Sequence, residues 1–164
     1  MYPAGFSTNV SVEGLTDVLC GAHRPGHFDG VATVVTKLFR QTGASHAFFG
    51  EKDFQQLQVV RRLSADLDLE VEVVGCPTIR EEDGLARSSR NLLLSDKARV
   101  KAPAMFDTME DTAQQLRTGA SFDELAPTAR HRIETAGFTE IDYFELRAND
   151  DLRLLNRPDV PCRL

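Results

Sequence analysis

Between residues 29 and 76 the apolar periodicity alternates helix, strand, helix, strand with short connections, and few folds satisfy that order. Asp29 reads as an N-cap, after which Val31, Val34, Val35, Leu38 and Phe39 recur at i, i+3, i+4, i+7 and i+8 until Gly43 ends the helix. His46 to Phe49 is a short apolar strand. Apolar residues return at helical spacing at Leu57, Val60 and Leu63, and this second helix is expected to run to about Ala65. Leu69 to Val74, rich in valine, supplies another strand. The order predicts an α/β architecture, a parallel sheet joined by right-handed crossovers. These residues are too few for a complete doubly wound domain, which usually has two such halves. Upstream, Thr8 to Val12 reads as a short strand and Glu13 to Leu19 as a brief helix.

Pro77 marks a change of character. Ile79 to Asn91 is polar and dense in charge, with turn chemistry at Asp83-Gly84. From Ser95 the composition is helical. Pro103 is expected in the first turn of a helix that reaches Leu116 and stops at Gly119. Ser121 with Glu124 forms a capping box for another helix ending at Gly137, and Ile141 to Leu146 reads as a strand. Residues 149–164 show no strong pattern. The expected division is 1–77 and 78–164.

Charge narrows the function. Residues 1–76 carry 6 Lys+Arg against 9 Asp+Glu, and residues 77–164 carry 13 against 16, so each part has a net charge of -3. Neither has the basic excess that nucleic-acid binding requires, which argues against reading the two later helices as a helix-turn-helix. No apolar run approaches the roughly 20 residues of a membrane span. The first residues lack the basic and apolar regions of a signal peptide, so a cytosolic location is expected. Cys20, Cys76 and Cys162 are isolated thiols without metal-ligand spacing.

An anion site must therefore be built locally. Gly50 to Asp53 is a strand-to-helix turn, where the carboxyl end of a strand meets the free N–H groups of a helix, and Lys52 stands where a phosphate is best met. The same residues admit a plainer reading, because Asp53 and Gln56 have capping-box spacing. Arg24 and His27 lie in a Gly/Pro loop that is either a solvated turn or an anion contact. Ser88 and Ser89, between Arg87 and Arg90, can donate several hydrogen bonds to phosphate oxygens, each charge-assisted one contributing roughly 1.5–3 kcal/mol. A solvated loop explains them too.

Four segments together carry a resemblance: Met1-Tyr2-Pro3-x-Gly5-Phe6, Arg24-Pro25-Gly26-His27-Phe28-x-Gly30-Val31, Phe49-Gly50-Glu51-Lys52-Asp53-Phe54-Gln55-Gln56-Leu57 and Arg80-Glu81-x-Asp83-Gly84-Leu85-Ala86-x-Ser88-Ser89-Arg90-Asn91. In order and spacing they resemble the pantothenate synthetases, the pantoate–β-alanine ligases, over nearly the whole chain. The resemblance implies the latter part of a Rossmann-like nucleotidyltransferase domain followed by a small α+β domain that closes over ATP. It implies the substrates pantoate, β-alanine and ATP, Mg2+ as cofactor, a cytoplasmic homodimer, and neither nucleic acid nor membrane as partner. Gly50, Glu51, Lys52 and Asp53 fall on the family's ATP-binding turn, with Lys52 as the catalytic cation. Ile79 falls on the position that contacts adenine by its backbone. Arg87, Ser88, Ser89 and Arg90 fall on the loop that clamps the triphosphate. Gln56, Arg24 and His27 fall on the pantoate site. Arg87 replaces an apolar residue and Cys20 an acidic one, and no His-x-Gly-His motif is found. The expectation is a partial chain, inactive by itself. A non-catalytic, partner-binding remnant of the same fold is the alternative, and another nucleotidyltransferase explains fewer of the motifs.

Overall fold

The computed structural model describes residues 1–164, and the chain divides into two compact units, Met1–Pro77 and Thr78–Leu164. No helix is long and apolar enough to cross a membrane.

In the first unit a single helical turn, α1 (Cys20–His23), precedes α2 (His27–Thr42), β1 (His46–Gly50), a 3-10 turn (Glu51–Asp53), α3 (Phe54–Asp66) and β2 (Glu72–Cys76). The strands pair in parallel, His46 opposite Glu72 through Gly50 opposite Cys76, as the alternation requires. Phe49 and its partner Gly75 share one sheet face. Phe49 meets Phe39 of α2 edge-on at 6.3 Å between ring centroids. An added Cβ on Gly75 would lie 3.1 Å from Leu57 of α3. Both helices therefore cover that face, and their apolar stripes supply the buried Phe28, Ala32, Val35, Leu57, Val59, Val60 and Leu63. Phe48, one residue out of phase, projects from the opposite face and is 69% exposed.

Several boundaries differ from expectation. Thr8 to Val12 forms no strand. The segment is tied instead to α2 by side-chain bonds, with Val10 N–H donating to Thr33 Oγ1 at 2.9 Å and Ser11 Oγ to Asp29 Oδ1 at 2.8 Å. Glu13 to Leu19 makes turns, since Gly14 (φ 79°) and Leu19 (φ 49°) both leave helical space. Asp29 does not cap α2, which begins two residues earlier behind Gly26 in the left-handed region. β2 starts at Glu72 and not Leu69, because Asp68 (φ 50°) and the bond from Leu69 N–H to Ser64 O finish the preceding helix.

The second unit holds a 3-10 segment (Ser89–Leu93), α4 (Asp96–Lys101), α5 (Ala104–Arg117), α6 (Phe122–Ala136), and a small antiparallel pair, β3 (Arg147–Ala148) with β4 (Cys162–Arg163). α5 and α6 enclose a core of Leu116, Phe122, Ala129, Ile133, Phe144 and Leu146. Pro103 is the N-cap of α5 and lies just outside its first turn. The Ser121–Glu124 capping box forms, with the Ser121 N–H and hydroxyl both donating to Glu124 Oε2, and Gly137 (φ 104°) ends α6. Ile141 to Leu146 is no strand. Phe144 and Leu146 enter the core from irregular backbone, held where Leu155 N–H donates to Leu146 O. Pairing comes one residue later, and it recruits the tail that lacked a pattern.

Candidate functional site

β1 ends at Gly50, whose extended backbone (φ -67°, ψ 133°) feeds the 3-10 turn Glu51–Asp53. Lys52 and Asp53 are exposed, the Lys52 side chain by 42%, and Lys52 Nζ lies 3.3 Å from Asp53 Oδ1. An ion pair this open is worth at most about 1 kcal/mol, so Lys52 is available to an anion. Glu51 is half-buried and its carboxylate reaches the neighbourhood of Gly75, where a Cβ would stand 3.2 Å from Oε1. The capping box does not form here, because no side chain bonds the start of α3. Gln56 is half-buried in the first turn of that helix.

Its neighbour Gln55 does what the spacing gave no sign of. It is buried, 7% exposed, and its Nε2 donates to both Leu15 O and Val18 O at 2.8 Å while its Oε1 accepts from Cys20 N–H at 3.1 Å. The carbonyls and the N–H belong to the irregular segment just before α1 and to its first residue. The local signal was only a second glutamine at the start of α3, ahead of the wholly buried Leu57 and Val59.

Arg24 is the C-cap of α1, exposed, with Nη1 3.6 Å from Cys20 Sγ. His27 opens α2, and burial, then the nearby Arg24 charge, lower its pKa below the ordinary 6.5. A cleft of about 370 Å3 is lined by Ser11, Thr16, Asp17, Arg24 and Asp29, among others; His27, Lys52 and Gln56 do not line it.

In the second unit Ile79 is 64% exposed and its carbonyl accepts from Arg87 N–H at 2.9 Å. That oxygen keeps one lone pair for a further donor. Glu81 N–H donates to Leu85 O, and Arg80 bridges Ala86, so residues 79–87 form a small hairpin. The Arg80 guanidinium lies 3.7 Å above the Phe106 ring and donates to Gly84 O at 3.1 Å. Asp83 pairs with Arg99 of α4, whose hydrogen bond holds the carboxyl below the usual range. Beyond the hairpin, Arg87 is exposed and 3.4 Å from Glu81. Ser88 Oγ accepts from Arg90 N–H at 3.2 Å, which leaves its hydroxyl hydrogen for another acceptor. Ser89 and Arg90 are exposed, and Asn91 Nδ2 fastens the segment by donating to Ala86 O. The loop thus presents two hydroxyls and two guanidinium groups from consecutive residues. No group of three or more His, Cys, Asp or Glu side chains is arranged to hold a metal ion.

Residues 1–162 match the family model described as pantoate-beta-alanine ligase. The chain is 67% identical to the pantothenate synthetase of Roseobacter denitrificans over its whole 164 residues, which span 58% of that relative. It superposes on the crystal structure of pantoate-beta-alanine (pantothenate synthetase) from Thermus thermophilus with a TM-score of 0.91 at 46% identity, covering 96% of this chain and 57% of the other. A pantoate-beta-alanine ligase from Francisella tularensis, solved in complex with beta-gamma ATP and beta-alanine, aligns with a TM-score of 0.59 at 29% identity over 80% of this chain and 49% of that one.

Proposed function

We infer, for a chain that belongs to the pantoate-beta-alanine ligase family, that it supplies the ATP-facing turn and part of the pantoate site of a pantothenate synthetase. The chain spans only 58% of the curated relative's length, so the reaction is that of the whole enzyme. In the first step a pantoate carboxylate oxygen attacks the α-phosphorus of ATP, forming pantoyl adenylate as pyrophosphate leaves. In the second, the β-alanine amine attacks the acyl carbon, the carbon–nitrogen bond forms and AMP leaves.

The observation that carries this reading is Lys52, exposed on the turn between β1 and α3 with only a weak Asp53 contact. There its ammonium offsets charge that grows on the phosphate oxygens, an effect worth roughly 10²–10³ in rate per donor. Gly50 and Asp53 are assigned to the ribose, Glu51 to the same turn, and Ile79 to the adenine. Arg87, Ser88, Ser89 and Arg90 are assigned to the triphosphate. Gln56, Arg24 and His27 are assigned to pantoate. A neutral His27, favoured by its lowered pKa, serves there as a hydrogen-bonding group and not as a second cation. Magnesium, the cofactor of this reading, is held mainly by phosphate oxygens and water in such sites, with few protein ligands. The reading extends to a cytoplasmic homodimer.

The test is pyrophosphate release from ATP and Mg2+, with and without pantoate, by the 164-residue chain alone and mixed with the portion of the Roseobacter denitrificans relative that it does not cover. Expected are pantoate-dependent release in the mixture and a loss of at least about tenfold on Lys52→Ala. Release that ignores Lys52→Ala refutes the phosphate role. No release under any condition favours the non-catalytic alternative.

A further inference from the structure

We propose that Gln55 is a positioning residue: it holds the segment that delivers Arg24 to a fixed place against the start of α3, the helix whose first turn carries Gln56. This rests on the functional reading above, which gives Arg24 and Gln56 a common ligand. One planar amide makes three hydrogen bonds, two donated to Leu15 O and Val18 O and one accepted from Cys20 N–H, across 35 to 40 residues of sequence. It does so while buried, where each bond is strong and each unmade one costly.

The segment needs such a tether. Leu19 sits at φ 49°, ψ -128°, a conformation that an L side chain rarely adopts and that local sequence does not favour. The first N–H of α1 is the one that Gln55 accepts, and the helix is a single turn, too short to be stable by itself. From Cys20 the connection to the ligand-facing residues is rigid. Gly21 packs so closely that a Cβ would lie 1.9 Å from Thr16 O. Arg24 N–H donates to Gly21 O, and His27 N–H donates to Arg24 O. Arg24 then reaches back to Cys20 Sγ. Where Gln55 holds Cys20, Arg24 follows.

Gln55→Met and Gln55→Glu in the full 164-residue chain test the proposal. The first keeps the length and removes all three bonds. The second keeps the acceptor for Cys20 N–H but sets a carboxylate against two carbonyl oxygens. Amide hydrogen exchange of the chain, and titration with pantoate and with ATP, each separately, in the mixture with the portion of the Roseobacter denitrificans relative that it does not cover, are the readouts. In Gln55→Met, amides of residues 15–24 should exchange at least about tenfold faster while those of β1 and β2 stay within about twofold. Pantoate affinity should fall about tenfold or more with ATP affinity nearly unchanged, and Gln55→Glu, which turns a carboxylate on two carbonyl oxygens, should fall at least as far as Gln55→Met. Uniformly faster exchange, or equal weakening of both ligands, overturns the proposal, since either is the mark of a merely structural residue. A parent chain that binds neither ligand even in that mixture refutes the functional reading and not the tether, which exchange confined to residues 15–24 then still supports and uniform exchange overturns.

Discussion

Gly84→Ala should damage the hairpin that leads to the Ser88–Arg90 loop by two separable routes. Gly84 has φ 88°, and a Cβ built there would stand 2.5 Å from Phe106 Cδ1. The left-handed backbone alone costs an alanine about 1–2 kcal/mol. The clash adds about 1–3 kcal/mol, because the ring must turn away and Arg80, 3.7 Å above it, loses its stacking surface. Together the substitution should cost about 2–5 kcal/mol. With a urea slope near roughly 2 kcal/mol per molar, the midpoint for the second unit falls by about 1–2.5 M. The assay is a double-mutant cycle with Phe106→Ala, followed by circular dichroism in urea. Once the ring is gone only the backbone part remains, so Gly84→Ala should cost about 1–3 kcal/mol less in that background. Equal midpoint shifts in both backgrounds would refute the steric account and leave the backbone as the whole explanation.

Three further outcomes follow from the geometry. Burial and Arg24 lower the His27 pKa, so the folded state binds fewer protons than the unfolded one. Stability is then lost as pH falls below about 6.5 towards the folded pKa, and His27→Gln should flatten the change in urea midpoint between about pH 7.5 and 5.5. An unaltered slope would place that titration elsewhere. Gly21→Ala drives a Cβ to 1.9 Å from a backbone oxygen and should cost about 1–3 kcal/mol or more. Gly30→Ala, with nothing within 4 Å and inside α2, should instead gain about 0.5–1 kcal/mol, and the two melting temperatures should move in opposite directions. Ile133→Ala, wholly buried between α5 and α6, should lower stability by about 2–5 kcal/mol in the same urea assay. A smaller loss would mean that the core collapses around the gap.

The long, strongly periodic elements were legible in the sequence. Val31 to Phe39 and Leu57 to Leu63 carry a helical stripe whatever lies around them, and the Ser121–Glu124 box and Gly137 mark the limits of α6 in purely local terms. What misled was local pattern without a partner. Thr8 to Val12 alternates like a strand, yet its hydrogen bonds go to Thr33 and Asp29 side chains. Ile141 to Leu146 has strand composition because it fills a core. Of the candidate site, the turn carrying Lys52 and the Ser-Ser-Arg loop followed from residue type and order. The work of Gln55 did not, because its three partners lie 35 to 40 residues away and are main-chain atoms, to which sequence is indifferent. The Asp53–Gln56 spacing was ambiguous for a related reason: three residues apart is what a cap requires, and also what any two groups one helical turn apart show.

The bare side of the β1–β2 pair has a practical meaning for anyone handling this chain in a tube. Parallel strands are normally sandwiched by helices on both sides, and a lone pair presents outer edges whose N–H and C=O groups await a neighbour. With Phe48 69% exposed beside those edges, the molecule carries a ready nucleus for self-association. Its colloidal behaviour should therefore depend steeply on concentration, and light scattering at rising concentration, compared with Phe48→Lys, would show whether one aromatic ring governs how much of the chain a solution can hold.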